Sequence, residues 1–380
     1  MLGGTSQEAH NSKDEPPRKP REMKAFLDEH VISQDNAKTD IAVAVYNHYK
    51  RRDATRRGMS LGAMGHVEIS KSNILLMGPT GTGKTECART VARMLGVPFY
   101  IADASRLTQA GYVGDDVESM LQGLIADAHN DFERAQWGII FIDEIDKLAR
   151  KSGRSASGYR DVTGEGVQQA LLKLIEGSKI QVPRGTSQVG SLAATDAFDT
   201  QNVLFIATGS FAGIEECVQR RINSGASMGF GAQSRQTLDL SNIYSHVTEA
   251  DVLEFGIIPE LMGRLPILTS TLPLTETEMV RILTEPKNSL TKQMQALFAM
   301  DGIDLQFQPE ALAAMAKEAL SRPTGARALR SILEAILKPF AFDLPSDPSV
   351  RRLVITRAAV EKTGEAEIVR EAPRRVVASA

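Results

Sequence analysis

Cysteine is nearly missing from this chain of 380 residues: Cys87 and Cys217 are the whole complement. Two thiols so far apart in sequence exclude a disulfide framework and any four-cysteine zinc site, and they suit a reducing compartment. An excess of either charge is missing too. Lysine and arginine number 44 against 47 acids, giving a net charge of −3 and a pI near 6.1. That balance supplies no general basic field for a nucleic-acid backbone or an anionic membrane, so neither is an expected partner. Apolar runs long enough to span a bilayer are absent. The first twenty residues, MLGGTSQEAHNSKDEPPRKP, hold neither an apolar signal core nor the acid-poor composition of a transit peptide, so a cytoplasmic protein is expected. What remains, 42% hydrophobic and 24% charged residues, is ordinary globular composition with length enough for two domains.

The chain is organised around residues 73–90, NILLMGPTGTGKTECART. An apolar run with the look of a buried strand leads into a glycine-rich turn, and helical composition follows with Ala88, Val91, Ala92 and Leu95 on one face. The turn reads G-x-x-x-x-G-K-T: Gly78, Pro79, Thr80, Gly81, Thr82, Gly83, Lys84 and Thr85, with Glu86 next. Glycines allow successive backbone N–H groups to point inward at phosphate oxygens, and the helix N-terminus adds its partial positive charge. Lys84 then reaches the outer phosphates, and Thr85 offers a hydroxyl to Mg²⁺. A second buried-type strand at residues 138–142, GIIFI, ends in Asp143-Glu144. Carboxylates at the carboxyl end of a strand beside the cradle strand fall at the usual ligand crevice of a parallel sheet. Asp143 is assigned to the Mg²⁺ shell and Glu144 to the water that attacks the terminal phosphate.

Around this pair the chain reads as a polar tail over residues 1–20, then two helices from Arg21, with Val31 and Ile32 between them as either a flat surface for a purine or a plain helix–helix turn. Residues 111–114, Gly-Tyr-Val-Gly, present Tyr112 and Val113 either as a mobile apolar loop tip or as a tight turn with the tyrosine packed inward. Residues 160–166 lead into an amphipathic helix, VQQALLKLIEG. Thr208 ends another strand, either as a simple cap or as a sensor of the terminal phosphate. Arg264, in an apolar setting within IIPELMGRLPIL, is either an ordinary salt-bridge residue or one that reaches a neighbouring subunit's phosphates. From Thr275 the composition turns helical. Arg327 falls in the first turn of the last long helix, where a cation opposes the helix dipole and so invites an anionic ligand. Residues 351–356 read as a short strand, and residues from 367 onward as another tail.

Taken together, GPTGTGKT, ADASRLTQAGYVGDDVES, GIIFIDEIDKLARKS, RDVTGEGVQQALLKLIEG, FGIIPELMGRLP and TGARALRS resemble the ClpX family of AAA+ unfoldases in order and spacing, from about Arg21 to about Val354. The resemblance implies an α/β P-loop domain with a parallel sheet over residues 21–272, a smaller, mainly helical lid over 273–366, and tails outside them. It implies a homohexamer that binds ATP and Mg²⁺ and unfolds protein substrates for the ClpP peptidase, the alternative being a stand-alone chaperone or remodeller without a peptidase partner. Tyr112 and Val113 become the loop that grips polypeptide, and Arg160, Asp161 and Val162 belong to a second pore loop. Arg264 becomes a finger acting in trans, Arg327 a sensor in cis, and Val31 and Ile32 the adenine contacts. Three departures stand out. The family's zinc-binding amino-terminal domain is absent, so no zinc is expected. The usually basic pore-entrance loop is PRGTSQVGSLAATDAF, with Arg184 its only cation, and the peptidase-docking Ile-Gly-Phe is here Met228, Gly229 and Phe230. Methionine is apolar and of similar volume, so docking is weakened but not abolished. Ser33 also replaces a usual glycine in the adenine turn.

Overall fold

Apolar runs with no alternation become strands buried on both faces. Five of them make one parallel sheet in this computed structural model, which describes residues 18–56, 67, 69–108, 115–150, 164–183, 195–225 and 240–371. In chain order they are β1 (Ile74–Met77), β2 (Phe99–Asp103), β3 (Ile139–Asp143), β4 (Leu204–Gly209) and β5 (Ile267–Ser270), and across the sheet they run β2-β3-β4-β1-β5. Every residue of β1 and β4 is buried.

The sequence places the acid-ended strand beside the cradle strand, and here the structure differs. Strand β4 lies between them, pairing Ile206 with Ile74 of β1 on one side and Ala207 with Ile142 of β3 on the other. Hydrophobic pattern marks a strand as buried but carries no information on its neighbours, so the strand ending near Thr208 was legible and its place between the other two was not. The insertion brings the ends of β1, β4 and β3 to one carboxyl edge, the usual position of a ligand crevice.

Helices α1 (Pro20–Asp28) and α2 (Asp35–Arg56) form where two were expected. The buried side of α2 includes Ala37, Ile41, Ala44, Val45 and His48, with near four-residue spacing. Asp40 accepts a 2.6 Å hydrogen bond from Thr269 of β5, and Tyr49 donates to the Trp137 carbonyl at 2.9 Å. His48 is 1% exposed; its Nε2 donates to the Asn202 carbonyl at 2.9 Å, and its Nδ1 has no partner among the described residues. Burial first, then the Arg51 cation, push this imidazole down from its ordinary value to about 3 against the opposing hydrogen bond to the Asn202 carbonyl, with Lys71 and Arg52 adding lesser depressions. Between that value and about 6.5 the unfolded chain holds a proton that the folded chain lacks. Stability from His48 is therefore complete above pH 6.5 and falls by about 1.4 kcal/mol per pH unit as acid is added. The thermal midpoint should drop more steeply from pH 6.5 to 4 in the wild type than in His48→Gln, whose amide cannot charge.

The described residues divide into two compact units, one ending at Leu272 and the other beginning at Pro273, with Asp28–Ser33 and Thr80–Thr82 grouped with the second. The second unit is mainly helical. Its core gathers Met279, Leu283, Phe298, Leu305, Met315, Leu329, Leu333 and Leu353. The helix Glu276–Thr284 opens with a capping box of Thr275 and Glu278. A small sheet joins β6 (Asp304–Phe307), β7 (Val350–Ile355) and β8 (Glu367–Arg370). Strand β8 stands where a tail was expected. It pairs antiparallel with β7, Leu353 opposite Ile368, and Ile368 packs on the core. One apolar anchor within EIVR is too weak a pattern to announce a strand.

Candidate functional site

The cradle begins where β1 ends. Gly78 has φ +137°, and a Cβ there would lie 2.2 Å from Thr271 Oγ1 and 2.4 Å from the Thr271 carbonyl oxygen. Only glycine satisfies both conditions. Gly83, at φ +95°, caps α3 (Lys84–Leu95), so that Lys84 and Thr85 occupy the first turn, where backbone N–H groups and the helix dipole favour an anion. Lys84 is 9% exposed, and its ammonium donates to the carbonyls of Gly78 at 2.6 Å and Pro79 at 2.7 Å. The lysine is thus held within the loop it serves. Glu86 turns to its own helix, accepting from Thr90 at 3.3 Å and lying 3.6 Å from Arg89.

At the end of β3, Asp143 Oδ1 accepts from the Glu144 N–H at 3.0 Å and from the Thr208 hydroxyl at 2.9 Å. Thr208 is fully buried on the intervening strand, so its hydroxyl orients the aspartate. Glu144 is exposed and has φ +57°, an unusual left-handed conformation for a residue with a side chain, costing about 1–2 kcal/mol. Such strain collects at functional positions, and here it starts the short turn Ile145–Leu148. Asp146 in that turn accepts from Ser210 at 3.0 Å and from the Phe211 N–H at 3.3 Å, tying the acid pair's turn to the segment after β4.

A magnesium ion is the metal this donor set implies. Asp143 offers a hard anionic oxygen, since its Oδ2 has no hydrogen bond among the described residues, and Thr85 offers a hydroxyl, so the residues present fit it.

Arg264 is not in an apolar setting. Leu261, Met262 and Leu265 around it are buried, but its own side chain is half exposed and ion-paired with Glu176. Its backbone is pinned: buried Asn73, ahead of β1, donates to the Arg264 carbonyl at 3.1 Å while its own Oδ1 accepts from the Phe205 N–H at 3.1 Å. Sequence reasoning missed Asn73 and Glu176. A lone polar residue opening an apolar strand was a signal for the first; the second, an acid at a helix end before glycine, gave none.

In the second unit, Val31 and Ile32 are 5% and 6% exposed. Ser33 has φ +55°, which explains why a glycine is usual there. Its hydroxyl bonds the Glu278 carboxylate. Burial alone would raise that carboxyl, but hydrogen bonds from Ser33 and Thr275 hold it below its ordinary value. Arg327 is the first residue of α4 (Arg327–Asp343) and exposed, with no ion pair among the described residues. Tyr112, Val113, Arg160, Asp161, Val162, Met228, Gly229 and Phe230 lie outside the described residues.

Comparison with known proteins matches residues 69–268 to the AAA domain (Cdc48 subfamily) and residues 274–353 to the C-terminal, D2-small domain, of ClpB protein. The chain is 47% identical to ATP-dependent Clp protease ATP-binding subunit ClpX 3 of Methylococcus capsulatus, over 93% of this chain and 82% of that protein. It is 46% identical to the ATP-dependent Clp protease ATP-binding subunit ClpX of Treponema denticola, over 90% and 81%. The same-named protein of Azotobacter vinelandii is 47% identical over 88% and 76%.

Proposed function

Because the chain belongs to the ClpX family and is an AAA+ ATPase, we propose that it is a cytoplasmic, homohexameric unfoldase that threads protein substrates through its pore into the ClpP peptidase. The observation that carries this reading is likeness at 46–47% identity, over about nine-tenths of the chain, to proteins named as ATP-binding subunits of the Clp protease. An intact phosphate cradle and acid pair support it.

In this reading Lys84 binds the outer phosphates of ATP while the N–H groups opening the helix at Gly83 receive the others. Thr85 and Asp143 would hold Mg²⁺, which neutralises charge between the phosphates. Glu144 orients and polarises the attacking water, and Thr208 keeps Asp143 turned to its task. Arg264 offsets charge that develops on a neighbouring subunit's terminal phosphate, Arg327 serves the subunit's own nucleotide, and Val31 and Ile32 contact its adenine. Tyr112 and Val113 grip polypeptide, and Arg160, Asp161 and Val162 belong to a second pore loop.

Met228, Gly229 and Phe230 form the docking tip for the peptidase. One tripeptide buries little, so a single tip binds at roughly high micromolar to millimolar strength; six on one ring raise avidity by roughly a hundred- to ten-thousand-fold. The test is peptide cleavage by ClpP titrated with these rings in ATP. Wild type should activate, Phe230→Ala should not while keeping its ATPase, and Met228→Ile should tighten the complex. If wild type gives no activation and Met228→Ile does not restore it, the protein works without a peptidase, as a stand-alone remodeller.

A further inference from the structure

Arg264 and Glu176 come from distant parts of the chain, and their contact is directional. The arginine presents Nε at 3.0 Å and Nη2 at 2.7 Å to the same carboxylate oxygen, Oε1. One edge of the planar guanidinium is thereby occupied. Nη1, with both its N–H groups, and the outer N–H of Nη2 point away from that edge and remain for a second anion. The carboxylate is itself fixed. Glu176 is the last residue of the helix Glu165–Glu176, and that helix end is held by Lys71, whose ammonium donates to the Ile175 carbonyl at 3.0 Å and to the Thr200 carbonyl at 2.9 Å. Lys71 also lies 5.0 Å from the centre of the Phe205 ring, on the strand whose backbone Asn73 engages. Both ends of the ion pair are therefore tied to the segment that leads into β1, Arg264 through Asn73 and Glu176 through Lys71, and both of those residues touch Phe205 of β4.

For fold stability the pair is worth little. Its side chains are 50% and 46% exposed, the range in which ion pairs contribute at most about 1 kcal/mol. An ion pair held at both ends yet of so little stabilising value calls for another reason. We propose that Glu176 is the positioning residue for Arg264, holding one edge of its guanidinium so that the other edge is presented to the phosphate of the adjacent subunit. This rests on the trans role of Arg264 proposed above. A flexible arginine must otherwise be ordered at the moment of reaction, and a misplacement of about 1 Å can cost about a hundredfold in rate.

The test is steady-state ATP hydrolysis by assembled rings of wild type, Glu176→Gln, Glu176→Ala, Glu176→Asp and Arg264→Ala, with nucleotide affinity measured separately and ring size checked by sedimentation. Glutamine is nearly isosteric and leaves the Lys71 bonds, which go to backbone, in place. Glu176→Gln and Glu176→Ala should lower kcat by about ten- to a hundredfold while KM and nucleotide affinity stay within about twofold of wild type, since the ground state does not use the finger. Glu176→Asp should recover part of the loss. Adding Glu176→Ala to Arg264→Ala should cost nothing further, because the positioned group is gone. If Arg264→Ala is inactive but the Gln and Ala variants hydrolyse at or above the wild-type rate, Glu176 does not position the arginine and the proposal is overturned. Wild-type hydrolysis by Arg264→Ala is a different failure: it removes the finger itself and the proposal with it.

Discussion

Rings of Glu144→Gln should hold ATP and hardly hydrolyse it. The amide is close in size to the carboxylate and keeps the same backbone, so the left-handed conformation at Glu144 and the bond from its N–H to Asp143 persist. Thr85 and Asp143 are untouched, and nucleotide affinity should stay within a few-fold of wild type. A neutral amide cannot draw a proton from water, and loss of a positioned general base typically costs about 10²–10⁴ in rate. Nucleotide retention on gel filtration, with turnover measured in parallel, reads both halves of this expectation. An active Glu144→Gln ring means that another group polarises the water.

Arg264→Ala should cost about 10³–10⁵ in turnover, the range for an arginine acting on charge that forms only in the transition state. On the trans role proposed for Arg264, the loss should arise at the junction between subunits. Arg264→Ala subunits mixed with Glu144→Gln subunits should regain part of the activity, at junctions where an intact arginine faces an intact Glu144. Two nearly inactive preparations that stay inactive in mixed rings of verified composition place Arg264 in service to its own nucleotide. Because Asn73 binds the Arg264 carbonyl and not its side chain, the alanine variant keeps its backbone anchor, and the loss can be assigned to the guanidinium.

How much of this was legible beforehand follows the range of each interaction. The cradle, its strand and its helix are local: glycines, a lysine and a threonine at fixed spacing act on one another within a few residues, and Gly78, Gly83 and Lys84 take the positions that spacing requires. The strand that ends at Asp143 was equally readable, as were the parallel sheet and the helical composition after Thr275. Neighbour relations were not. That β4 separates β3 from β1, that Thr208 gives its hydroxyl to Asp143, and that Arg264 meets Glu176 all depend on contacts between residues tens of positions apart. Strand β8 escaped for the opposite reason, being held by one partly buried isoleucine that makes no pattern of its own.

The sheet order also fixes when in the making of the chain β1 gains its neighbours. Strand β1 pairs with β4 and β5 alone, and both are made long after it. Leu204 leaves the ribosome roughly 130 residues after Met77, an interval of roughly 6–25 s at the usual pace of synthesis. Through that time the wholly apolar ILLM has neither of its native neighbours. Thr271, against which Gly78 is fitted so closely that no side chain is admitted, follows later still. The close fit of Gly78 against Thr271 can therefore be completed only after the last strand of the sheet has been made.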